Sequence, residues 1–142
     1  MVESDIRMFL QTIAISTRKS YTLELRKLGL YIGQELALYH LWEQDGITQS
    51  QLCYKLGSEA STISNMIRKL EQDNIVYRVQ DDVDHRISNV YLTDKGRQLK
   101  QPILQIWKQH EEKMLHGILP EELLMLRRLL QQMKDNLTNR NY

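Results

Sequence analysis

The sequence predicts a mostly α-helical fold carrying one β-hairpin. Three observations lead there. Two prolines and six glycines in 142 residues leave few helix breakers. Apolar residues recur at helical spacing through most of the chain. The period falls to two only in the stretch from Ile75 to Leu92. A chain of this length buries roughly 68–70% of its unfolded surface, so one core forms without a disulfide or a metal staple.

The elements follow in order. Ile6, Phe9, Leu10 and Ile13, then Leu23, Leu25 and Leu28, predict a first helix from Asp5 to about Lys27, closed by Gly29. A second helix runs from Gly33 through Leu36, Leu38, Leu41 and Trp42 to a turn at Asp45-Gly46. Thr48 and Gln51 form a capping box, with Ile47 and Leu52 as its hydrophobic staple, and Gly57 stops the short helix that begins there. Ser58 is expected to cap the next helix, which carries Ile63, Met66, Ile67 and Leu70 on one face. Ile75, Tyr77 and Val79 then alternate with Val76, Arg78 and Gln80. Asn89 to Leu92 alternate again, and the charged loop Asp81–Arg86 between them is too short for another element. Thr93 caps a fifth helix reaching about Met114 or His116, with Pro102 as a kink or an early turn. Pro120 opens a sixth, where Leu123, Leu126, Leu130, Met133 and Leu137 recur at 3, 4, 3, 4 and Leu124, Met125 and Leu129 add a second apolar strip. That helix is more apolar than one packing face requires.

Nineteen basic residues against 18 acidic leave a net charge of +1, so bulk electrostatics selects no partner and any charged contact is a matter of placement. The lone Cys53 fits a reducing compartment, for which the cytoplasm is the default. The N-terminus reaches Arg18 and Lys19 with acids at Glu3 and Asp5 and without a long apolar run, so neither a signal peptide nor a membrane association is expected.

Short helix, tight turn, second helix and charged hairpin is the order of a winged helix-turn-helix, whose second helix enters the DNA major groove. With Ile63, Met66, Ile67 and Leu70 facing the core, Ser61, Thr62, Ser64, Asn65, Arg68 and Lys69 fall outside. Asparagine and arginine bond adenine and guanine bidentately, and small hydroxyls approach bases closely. A solvated surface is the ordinary reading of such a face; its place between cap, turn and hairpin favours DNA contact.

In Ile47–Leu52, Ser61–Ser64, Arg68–Glu71, Asp84-His85-Arg86 and Leu92–Gly96 this chain resembles the MarR family of bacterial winged-helix regulators. The D-x-R and L-T-x-x-G segments are the most diagnostic. The resemblance implies a homodimer on pseudo-palindromic double-stranded DNA, usually a repressor, often released by a small aromatic effector. It implies an N-terminal dimerisation helix over 1–30, a winged DNA-binding lobe over 31–99 and C-terminal dimerisation helices over 100–142, intertwined as one domain. Arg86 matches the wing arginine that enters the minor groove and Asp84 the acid that holds it. Arg78 and His85 complete the wing contacts, and Thr48, Gln49 and Ser50 start a helix whose amides bind phosphate. His85 stands where many members have a second arginine, Asp82 replaces a frequent proline, and Asn74 replaces a glycine, as asparagine tolerates a left-handed backbone.

Other constellations are weaker. Family thiols that sense peroxide lie in the first helix, which here has none, so Cys53 reads as an inert core residue. His40, His85, His110 and His116 lack metal-ligand spacing, and Asp81, Asp82 and Asp84 lack the glycine and closing glutamate of a calcium loop; neither metal nor cofactor is expected. Tyr21, Tyr31, Tyr39, Trp42 and Trp107 are candidates for an effector cleft, although packing accounts for aromatics at helical spacing equally well. No nucleophile–base pair or glycine-rich phosphate loop supports an enzyme. The alternative is a winged-helix module that binds protein rather than DNA.

Overall fold

The computed structural model describes residues 1–139, so the last three residues of the expected C-terminal segment lie outside the described residues. The elements are α1 (Val2–Lys27), α2 (Gln34–Glu43), α3 (Gln49–Leu56), α4 (Ala60–Gln72), β1 (Val76–Gln80), β2 (Ser88–Leu92), α5 (Asp94–Gln98), α6 (Lys100–Met114) and α7 (Pro120–Thr138). The fold is the mostly helical winged helix-turn-helix that the sequence predicts. No described helix is long and apolar enough to cross a membrane. The chain divides into two compact units, Met1–His110 and Glu111–Tyr142.

The core of the first unit collects Leu25 from α1, Leu38 and Leu41 from α2, Leu52 from α3, Ile63, Ile67 and Leu70 from α4, Val90 from β2 and Ile103 from α6, all fully buried. Burying each such side chain is worth about 1.5–3 kcal/mol, and α4 reaches that core through its i, i+4, i+7 stripe, with Met66 half-buried beside it. Its other faces are thereby left to solvent. The capping box forms as expected: Thr48 Oγ1 accepts from Gln51 N–H at 3.1 Å and Gln51 Oε1 from Thr48 N–H at 2.8 Å. Gly57 ends α3 at φ +63°, and Asn74 takes up the left-handed turn before the hairpin at φ +59°.

Two expectations are corrected. Glu59, not Ser58, is the N-cap of α4, because the Ile63 N–H bonds the Glu59 carbonyl, and no side chain caps that end. The expected fifth helix is two, α5 and α6; Pro102 lies in the first turn of α6 and has no N–H with which to bond the carbonyl of Gln98, the last residue of α5. The structure also sets the phase of β1. Val76 is buried while Tyr77 and Val79 are each 47% exposed. The antiparallel register Val76↔Leu92, Tyr77↔Tyr91 and Arg78↔Val90 sets this, putting Val76, Val90 and Leu92 on the core face. Tyr77 and Tyr91 stack on the other face at 5.4 Å. The residues just before α3 extend the hairpin: Val90 N–H donates to Ile47 O, Gly46 N–H to Val90 O, and Asn89 Nδ2 to Gly46 O. The wing is thus tied to the start of the helix-turn-helix.

The α1–α2 turn is held by two buried polar side chains. Gln34 Oε1 accepts from Tyr31 N–H at 2.9 Å, and Glu35 Oε2 from Gly33 N–H at 2.7 Å where Gly33 has φ +101°. Burial raises the Glu35 pKa above the ordinary carboxylate value, against the pull of its backbone hydrogen bonds and of Arg18. A carboxyl with a raised folded pKa contributes most below its unfolded pKa, and that contribution is lost as pH rises through the folded value. Glu35→Gln keeps an acceptor for Gly33 and removes the buried charge. It is expected to melt higher than the parent at pH 7, by a margin that shrinks as pH falls toward 4.5, the ordinary value for this group. Thermal melts at a series of pH values check this.

Candidate nucleic-acid interface

The outer face of α4 is polar along its length. Ser61, Thr62, Asn65, Arg68 and Lys69 are exposed and Ser64 is half-buried, as helical geometry requires once Ile63, Ile67 and Leu70 point inward. The two cations on this face differ. Arg68 Nη2 donates to Asn65 Oδ1 at 2.6 Å, one turn toward the helix start. Lys69 Nζ instead lies 4.2 Å from the centre of the Tyr31 ring, a cation–π contact with the α1–α2 turn. A cavity of about 490 Å³ opens at this edge between Tyr31, Ile32 and Gln34 on one side and Met66, Arg68 and Lys69 on the other.

At the other edge of α4, a groove of about 330 Å³ is lined by Thr48, Gln49, Ser50, Cys53, Arg78 and Arg86. The N–H groups of Gln49 and Ser50 stand in the first turn of α3, where an α-helix supplies no acceptor, and they carry the positive end of its dipole. Thr48 serves first as the helix cap. Cys53 packs half-buried against the core and borders this groove.

The wing pairs its charges. Asp84 Oδ1 accepts from the Arg86 backbone N–H at 3.1 Å and from Nε at 3.0 Å, and Oδ2 accepts from Nη2 at 3.2 Å. The Arg86 side chain remains 91% exposed, so the carboxylate aims the guanidinium without covering it. The same hydrogen bonds hold the Asp84 pKa below its ordinary value. Asp81 Oδ2 accepts from Asp84 N–H at 2.9 Å, so two of the three tip aspartates serve the turn itself. His85 is exposed, and its carbonyl accepts from Gln80 Nε2.

Arg78 does something the sequence did not indicate. Its Nη2 and Nε donate to Glu71 Oε1 and Oε2 at 3.0 and 3.4 Å, and its backbone N–H donates to Oε2 at 3.3 Å. The fork clamps the base of the wing to the end of α4, and the arginine lowers the Glu71 pKa. Glu71 was visible only as part of the Arg68–Glu71 segment; a pair seven residues apart needs the turn at Asn74 to close it.

The candidate effector aromatics fall into separate contacts. Tyr39 packs edge-to-face on Trp107 at 5.8 Å, Tyr21 on His110 at 5.0 Å, and Trp42 Nε1 donates to Gly96 O at 3.1 Å. Tyr31 alone of the five borders the cavity beside α4. Among the described residues no group of three or more His, Cys, Asp or Glu side chains converges to hold a metal ion.

The sequence model of the MarR family matches residues 30–88, the span from the α1–α2 turn through the wing. The HTH-type transcriptional regulator YybA of Bacillus subtilis is 27% identical over 135 residues, 94% of this chain and 89% of its own length. The crystal structure of the transcriptional regulator SlyA superposes with a TM-score of 0.86 at 26% identity, covering 95% of each chain. The Staphylococcus aureus MepR–DNA complex superposes at 0.84 with 25% identity, covering 92% of this chain and 96% of that one. Matched segment, relatives and shared winged-helix architecture agree: over residues 30–88 the chain is similar to the MarR family, and the relatives it resembles along most of its length are HTH-type transcriptional regulators.

Proposed function

We propose that this protein is a homodimeric, sequence-specific DNA-binding repressor released by a small effector. The observation that carries the DNA reading is the pairing of two features on one unit. One is an α4 face of exposed hydroxyl, amide and guanidinium groups; the other is a 91% exposed Arg86 aimed by Asp84 at the wing. The first suits base edges in a major groove, the second the negative potential of a narrow minor groove. Ser61, Thr62, Ser64, Asn65 and Arg68 serve the recognition helix, and Gln49 and Ser50 offer amides to phosphate. Arg78 and Lys69 add positive field while engaged with Glu71 and Tyr31.

Dimerisation is supported by apolar surface without a partner in one chain. On α1, Ile6, Phe9, Leu10 and Ile13 are 38–64% exposed. On α7, Leu124, Met125, Leu129, Leu130 and Leu137 are 42–88% exposed. Contiguous apolar faces of this kind mark protein interfaces. Twofold symmetry then presents two recognition helices to half-sites about 34–36 Å apart. The effector half of the reading is supported by the cavity of about 490 Å³ against α4, where a small aromatic acid has Tyr31 and Met66 for its ring and Lys69 for its charge. Occupancy there favours a dimer geometry whose recognition helices no longer fit successive grooves.

Selection of bound sequences from random duplex DNA tests the reading. An enriched palindrome with half-sites one helical turn apart is expected, with affinity falling steeply as salt rises through counterion release. Absence of enrichment, or salt-insensitive binding, overturns it. Because residues 55–100 hold eight Lys/Arg against seven Asp/Glu, non-specific affinity is expected to be modest.

A further inference from the structure

Asn65 and Arg68 are not two independent readers. We propose that Asn65 is a positioning residue that aims Arg68 at guanine, and that this pair, rather than an asparagine–adenine contact, sets one base of each half-site. The inference rests on the DNA-binding reading above.

The geometry is specific about which atoms are engaged. Arg68 has only donors, so the Asn65 atom it meets at 2.6 Å is the carbonyl oxygen Oδ1, and the amide orientation is thereby fixed. Bidentate recognition of adenine requires an asparagine to accept from N6 with that same oxygen while donating to N7. With one lone pair of Oδ1 taken by Arg68, the groups this pair offers outward are mainly N–H donors, the Asn65 Nδ2 amide and the remaining guanidinium hydrogens. A surface of donors matches acceptors, and the base edge carrying two adjacent major-groove acceptors is guanine, at O6 and N7.

The hydrogen bond also solves a problem of reach. Base contacts come mainly from the N-terminal residues of a recognition helix, whereas Arg68 is the ninth residue of α4. Helical side chains lean toward the N-terminus, and bonding to Asn65 draws the guanidinium back along the helix by about three residues, roughly 4.5 Å of rise. Ser61, Asn65 and Arg68 then form one i, i+4, i+7 stripe. The other cation of the face, Lys69, is held on the Tyr31 ring at 4.2 Å rather than on Asn65.

The test compares the full-length parent, Arg68→Ala, Asn65→Ala and Asn65→Asp by selection from random duplex DNA. Guanine and adenine are then competed at the position where Arg68→Ala loses its preference. Both side chains are exposed, so the folds are expected to survive, and circular dichroism confirms it. The parent is expected to prefer guanine there about tenfold. Asn65→Ala is expected to cut that preference to about threefold or less although Arg68 is intact, because the guanidinium is no longer aimed. Asn65→Asp keeps an oxygen for Arg68 and is expected to restore the preference, even while its added charge lowers overall affinity. An undiminished preference in Asn65→Ala overturns the proposal. So does an adenine position that disappears in both Asn65 variants while guanine persists, the result for an asparagine reading adenine itself. If the parent enriches no sequence, the DNA-binding reading fails first and takes this one with it.

Discussion

Gly96→Ala is expected to destabilise the protein by about 3 kcal/mol, an overpacking cost at the upper end of its usual range. For a chain of this size that is a fall in melting temperature of roughly 10 °C. A Cβ at Gly96 would collide with the carbonyl oxygen of Ile75 and stand 3.0 Å from Leu92 Cδ2. The backbone cannot give way, because the Ile75 carbonyl also accepts from the Thr93 N–H at 3.1 Å and from Thr93 Oγ1 at 3.0 Å. Gly96 O holds the indole of Trp42 as well, so a shift of α5 would cost that hydrogen bond. The glycine of the L-T-x-x-G segment thus lets α5 lie directly against the strand entry. Gly117 is the control. It has φ +83° and nothing within 4 Å, so Gly117→Ala incurs only backbone strain, about 1 kcal/mol. Thermal melts of the two variants separate close approach from conformational need. Equal losses would show that the Gly96 contact carries no special cost.

Arg86→Ala is expected to weaken operator binding by about 1–3 kcal/mol per half-site, so by about 30-fold or more when both wings of a dimer lose it. The loss is expected to be similar across operator variants, because a minor-groove arginine reads groove width and potential more than base identity. The salt dependence is also expected to flatten by about one counterion per protomer. Asp84→Ala leaves the positive charge in place and removes only its aim, so a smaller loss with an unchanged salt slope is expected. The Asp84–Arg86 pair itself adds little to folding, since Arg86 is 91% exposed and exposed ion pairs are weak. Melts of both variants are therefore expected to match the parent, which isolates the binding effect. Salt-titrated gel shifts with the selected operator measure it. Equal losses from Arg86→Ala and Asp84→Ala, with parallel salt slopes, would assign the pair to the shape of the turn.

Much of the interface could be read in the sequence, for a local reason. The Thr48–Gln51 capping box, the Gly57 stop and the left-handed Asn74 are each decided within a few residues, by hydrogen bonds and steric limits that travel with the residue types. The outer face of α4 followed from its inner face by helical geometry alone. Asp84 and Arg86 are two residues apart in one turn, so their pairing needed no distant partner.

What escaped the sequence depends on how separate elements pack. The clamp of Arg78 on Glu71, the Lys69 contact with Tyr31 and the division of the aromatics exist only after α1, α4, α6 and the wing have packed. The phase of β1 was undetermined for the same cause. The strip Ile75, Tyr77 and Val79 is the more apolar of the two, yet Val76 rather than Tyr77 is buried, which comes from the register with β2 and the core beneath it. Glu35 drew no reading from the sequence, because a carboxylate on a helix ordinarily faces water, and only the folded turn shows it buried against the Gly33 N–H. By itself the sequence determined the winged helix-turn-helix order and which residues of α4 face outward, since periodicity, caps and turn chemistry act locally. Tertiary structure decided which of the outward cations are free to meet a ligand, because an arginine or lysine is claimed by whatever acid, amide or ring the fold brings within reach.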